Sequence, residues 1–135
     1  MKKIVYLTFV MLSLVSIMVS CKKGPGEGGT SSITGYVHVT RYNSTFIVVD
    51  TMFDGADEDV FIIYGDDISF SERTRTNPEG KFEFKYLREG DYRIYVYSEG
   101  NRDTFPSGSY PVYKDVEITD KKQTVDAGTF EIKKN

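Results

Sequence analysis

Hydrophobic and polar residues alternate with a period of two along most of the chain after residue 32. The pattern is sharpest between Asn77 and Ser98. There Phe82 and Phe84 fall on one side of an extended segment, and Lys81, Glu83 and Lys85 on the other. Tyr92, Ile94 and Val96 then share a side, opposite Arg93, Tyr95 and Tyr97. Pro78 suits the second position of a type I turn and Gly80 the fourth. The two segments read as a hairpin with one oily and one wet face. An oily sheet face requires a second layer to cover it.

The same rhythm predicts further strands. Ile33 to Tyr42 alternates, with Ile33, Gly35, Val37 and Val39 on one side. Thr45 to Phe53 is a second β-rich run that can pair back on the first. Val60 to Tyr64 is continuously apolar, as expected of a strand covered on both sides. Ile68 to Thr76 is polar apart from Phe70, and Arg73 and Arg75 suit an edge position. Tyr110 to Ile118 and Gln123 to Ile132 complete the set, with Gly128 expected at a bulge. No segment carries a helical period of useful length. The expected fold is a seven- to eight-stranded antiparallel β-sandwich.

The first 20 residues stand apart. Lys2 and Lys3 precede an apolar run, Ile4 to Val19, too short for a comfortable membrane span but shaped like the core of a signal peptide. The only cysteine, Cys21, follows Ser20. It reads either as a stray thiol in an uncleaved anchor or as a lipid-attachment site. Met18-Val19-Ser20-Cys21 resembles the lipobox of bacterial lipoproteins, with Met18 where Leu is usual. That resemblance implies a thioether-linked lipid on Cys21, cleavage before it, and a place in the bacterial cell envelope, anchored in the outer membrane with its periplasmic or surface face undecided. Lys22 to Ser32 is rich in Gly and Ser and reads as a flexible tether over residues 21–32, leaving 33–135 as the domain. Loss of Lys2 and Lys3 moves the formal charge from −3 to −5. An acidic domain is a poor match for nucleic acid, so none is expected as a partner.

Residues 33–132 resemble the carboxypeptidase regulatory-like domain, a transthyretin-like sandwich similar to Cna B-type repeats. The resemblance rests on Gly35-Tyr36-Val37, on Asn77-Pro78-Glu79-Gly80-Lys81-Phe82-Glu83-Phe84, on Leu87, and on Gly90-Asp91-Tyr92-Arg93-Ile94-Tyr95-Val96. Glu79 stands where the family usually has Asp, and Thr45 to Asp59 is longer than the usual insert. Leu87 and Tyr92 bracket a turn, so both can plug one end of the core, with the Tyr92 hydroxyl anchored on backbone as in a tyrosine corner.

Three constellations are candidates for chemistry. Seven acids lie between Asp50 and Asp67 with no Lys or Arg among them, and Asp54, Asp57 and Asp59 are the candidate ligands for Ca²⁺, the one cofactor the sequence suggests. Their spacing does not follow the EF-hand, and the alternative is a solvated acidic loop. His38 is the only histidine and reads as an exposed strand residue. Transthyretin-like ureide hydrolases rely on several histidines and a Tyr-Arg-Gly-Ser motif, which the Glu-Ile-Lys-Lys-Asn segment here does not match. Tyr36, Tyr42, Tyr95 and Tyr97 fall on outward faces, either as an aromatic surface for a sugar or protein, or under a partial cover. The expectation is a non-enzymatic envelope lipoprotein: a tethered structural or protein-binding module. The alternative is a carbohydrate- or Ca²⁺-binding accessory domain of a glycan-handling system.

Overall fold

A computed structural model describes residues 23–135; the expected leader and the candidate lipidation site Cys21 lie outside the described residues. The fold is an all-β sandwich of eight strands: β1 (Glu27–Tyr42), β2 (Val49–Asp54), β3 (Asp59–Tyr64), β4 (Glu72–Arg75), β5 (Lys81–Leu87), β6 (Gly90–Glu99), β7 (Ser109–Ile118) and β8 (Thr124–Lys134). The first sheet is built on β1. Its two ends pair along one edge with β5 and β2, and β8 lies along the other edge. The second sheet has the order β4-β3-β6-β7. All pairs are antiparallel except β1 with β8, which run parallel from Ser32↔Thr124 to Arg41↔Lys134.

Alternation puts the expected residues inside. Ile33, Val37, Val39, Phe82, Phe84, Phe130 and Ile132 from the first sheet meet Val60, Ile62, Tyr92, Ile94, Val96 and Ile118 from the second. Phe82 forms edge contacts with Phe84 and Phe130 at ring centroid distances of 6.0 and 5.8 Å. Gly35 is required here: a Cβ at that position would lie 2.5 Å from the Phe82 ring. Gly128, at φ +74°, shifts the parity of β8. Val125 and Ala127 face inward before it, Phe130 and Ile132 after it, so the expected bulge is where the pattern placed it.

Two expectations are corrected. Lys81–Leu87 and Gly90–Glu99 are not a hairpin. β5 pairs with β1 and β6 pairs with β3 and β7, so the chain crosses between sheets at Arg88-Glu89. The oily faces of β5 and β6 cover each other across the core instead of lying side by side. Tyr86 adopts φ +60°, which breaks the alternation and turns Leu87 inward in its place. Residues 23–32 are not a free tether either. β1 starts at Glu27, and its first residues wrap Leu87 in a bulge that spans Glu27 to Ser31. Gly29 allows that approach, since a Cβ there would meet the Leu87 carbonyl oxygen at 1.9 Å.

Candidate functional site

The outward face of the second sheet carries aromatic rings where alternation would allow water-facing polar groups. Phe61 on β3, Tyr95 on β6 and Tyr113 on β7 stand directly opposite one another across the ladder. Phe61 stacks on Tyr95 at 4.9 Å with the planes 11° apart, and Tyr113 leans on Tyr95 at 5.4 Å. Phe70, from the loop before β4, meets the Phe61 edge at 5.1 Å. Tyr97 stands near a right angle to both Phe61 and Tyr95, at 5.8 and 5.5 Å. Tyr95 is thereby buried to 8% exposure although it points away from the core, while Phe70, Tyr97 and Tyr113 remain about half exposed. Burial, reinforced by Tyr97, holds the Tyr95 phenol above its ordinary pKa.

Charged residues border this aromatic row. Two residues along β6 and β7, Arg93 faces Asp115 in a two-pronged ion pair at 2.6 and 3.2 Å, and the guanidinium also lies 5.7 Å over the Tyr113 ring. The pairing holds the Asp115 carboxyl below the usual carboxylate range and raises Arg93. On the other side, Arg75 of β4 donates to Asp59 at 3.0 Å and to Asp57 at 3.1 Å. Arg73 lies 3.7 Å from the other Asp59 oxygen. The geometry is an apolar centre with a rim of paired charges of both signs.

The structure separates the four tyrosines singled out from sequence. Tyr95 and Tyr97 belong to this face. Tyr36 lies on the outer face of the first sheet, between Lys81 and Thr129. Tyr42 sits at the end of β1 against Phe46, with Lys133 5.4 Å over its ring. Phe61, Phe70 and Tyr113 were missed. The available signal was the run Val60 to Tyr64, in which Phe61 has the wrong parity for the core and must be covered by something else.

The acidic candidates are also divided. Asp57 and Asp59 share Arg75, and Asp54 sits 3.7 Å from His38 on the first sheet. Among the described residues no group of three His, Cys, Asp or Glu side chains is arranged to hold a metal ion. The arginines that answer these acids come from β4, beyond the acidic stretch in sequence but opposite it in space. His38 lies on the outer face of β1, as expected. The buried polar side chains serve the backbone: Ser31 donates to the Asp120 carbonyl, Thr76 to that of Gly55, and the Ser98 hydroxyl accepts from the Lys133 N–H.

The tyrosine-corner expectation holds. Tyr92 is buried, its hydroxyl donates to the Arg88 carbonyl at 2.7 Å, and it accepts from the Gly26 N–H at 2.9 Å. Burial, the larger effect, keeps this phenol above its ordinary pKa.

No protein-family model matches the chain, and no curated protein matches it. Among solved structures, the chain is similar to the crystal structure of a Pseudomonas aeruginosa protein proposed to bind carbohydrate. The TM-score is 0.47 and the sequence identity 14%, covering 81% of this chain and 91% of that one.

Proposed function

We propose that the chain is a non-enzymatic, lipid-anchored module of a bacterial cell envelope, built on a carboxypeptidase regulatory-like sandwich, and that it binds a protein partner through the aromatic face of the second sheet. The observation that carries the reading is that face itself. Five aromatic side chains touch one another there, with three of them about half exposed. An apolar aromatic centre within a charged rim is the anatomy of a protein interface. A sugar is the second reading, favoured by Tyr97, which remains half exposed. Against it, Phe61 and Tyr95 spend ring faces on each other, and Arg93 covers part of Tyr113. The anchor is supported by the leader and by Met18-Val19-Ser20-Cys21.

A photocrosslinking residue placed at Tyr97 in cells tests this, with Tyr36 of the first sheet as control. The expected result is one discrete protein adduct from position 97, absent at position 36 and absent when Tyr113→Ala is added. Equal labelling from both positions, or none from position 97, overturns the protein reading. Binding to an immobilised glycan that is abolished by Tyr97→Ala would replace it with the carbohydrate one.

A further inference from the structure

The arm that leads into β1 is fastened to the sandwich. Arg88, at the crossing between sheets, holds it from three sides: its backbone N–H donates to the Gly26 carbonyl at 2.8 Å, its Nε to the Gly24 carbonyl at 2.8 Å, and its guanidinium to the carbonyl of Glu27. Tyr92 closes the same knot through the Gly26 N–H. Pro25 lies over two glycines: a Cβ on Gly90 would meet its ring at 2.8 Å, and one on Gly65 at 2.9 Å. Gly65 belongs to the turn after β3, so the arm is tied to both layers.

These contacts set a limit on reach. Only Lys22 and Lys23 separate Cys21 from Gly24, the first residue held by Arg88. Three residue steps span at most about 10 Å in any conformation. β1 then runs 16 residues away from this pole, up to about 50 Å when extended, to the β1–β2 connection at Asn43 to Val48. Thus one pole is adjacent to Cys21 and the opposite pole is distant from it.

We propose that this knot is a mount: the pole where Lys23, Arg88, Glu89 and Lys121 line one groove is seated against the lipid bilayer, and the β1–β2 connection points away from it. The inference rests on the proposed acylation of Cys21 and adds the orientation, which acylation alone does not supply. A flexible tether would let the domain tumble at the surface. A fastened arm presents the aromatic face sideways, parallel to the bilayer normal, at a fixed height.

The test uses the full acylated chain in phosphatidylethanolamine–phosphatidylglycerol vesicles carrying a headgroup acceptor dye. A donor is attached at Glu89→Cys or, in a second preparation, at Ser44→Cys. Energy transfer is expected to be several-fold stronger from position 89. Inserting twelve Gly/Ser residues between Lys23 and Gly24, which leaves every contact of the knot in place, should shrink that difference. Arg88→Ala should shrink it too, and the insertion keeps the test decisive if that variant does not fold. Equal transfer from the two positions in an acylated chain, or a difference that survives the insertion, overturns the mount alone. A chain with no acyl mass on Cys21 that fails to float with vesicles overturns the anchor and the mount together.

Discussion

The two sheets contribute to one interior but present opposite exteriors. Outside the first sheet lie Thr34, Tyr36, His38 and Thr40 of β1, Lys81, Glu83 and Lys85 of β5, and Thr129, Glu131 and Lys133 of β8. This is the solvated face that alternation predicts. Outside the second sheet, the corresponding positions of β3, β6 and β7 hold Phe61, Tyr95, Tyr97 and Tyr113. Core formation requires only the inner rows. The outer row of the second sheet is not aromatic for the sake of the core, and this contrast is the ground for placing the proposed binding surface on one side of the molecule.

The largest expected effect tests the shared interior. Phe84 is fully buried in the first sheet, beside Phe82. Phe84→Ala should cost about 3–5 kcal/mol, from lost transfer energy plus the cavity left behind. The loss should appear as one cooperative denaturant transition, because the side chains of both sheets meet at that point. Two separated transitions in the variant would show that the layers do not share a core.

A smaller effect distinguishes the exteriors. Tyr95→Ala removes an outward ring that is 8% exposed, whereas Tyr36→Ala removes one that is 44% exposed. The first should cost roughly 2–3 kcal/mol from lost burial and ring contacts. The second should stay within about 0.5 kcal/mol, as surface substitutions do. Equal losses in urea titrations would erase the contrast between the two faces.

The interior was legible because a period of two assigns each side chain to a face. Phe82, Phe84, Tyr92, Ile94 and Val96 are all inside, as alternation required. Alternation does not name the neighbouring strand, so β5 and β6 were paired with each other when they belong to opposite layers. What decides the crossing is local backbone: the positive φ of Tyr86 and of Gly90, with Pro25 packed on the latter. The arm was misread for a related reason. Glycine signals freedom in composition, yet Gly29 and Gly90 are close-approach positions where a side chain would collide. The acidic stretch looked uncompensated because Arg73 and Arg75 lie outside it in sequence and opposite it across β4. Two of the five rings of the aromatic face, Tyr95 and Tyr97, were visible; Phe61 and Tyr113 required the register that sets them beside Tyr95, and Phe70 required the loop that brings it against Phe61.

The smallest effect concerns the rim. Arg93 holds the Asp115 carboxyl below its ordinary range in the folded chain. A carboxyl with a lowered folded pKa stabilises the fold above its unfolded value, near pH 4, and that contribution is lost as the pH falls through the lower folded value. Both partners are mostly exposed, so solvent and salt screen the pair and the contribution is small. Asp115→Asn should therefore lower the melting temperature slightly at pH 7 and low salt. The gap to the parent chain should close as the pH drops below 4, and should narrow in high salt at pH 7. A gap that widens on acidification would mean that Asp115 is not the group being protonated, and that Arg93 owes its position over Tyr113 to the ring and not to the carboxylate.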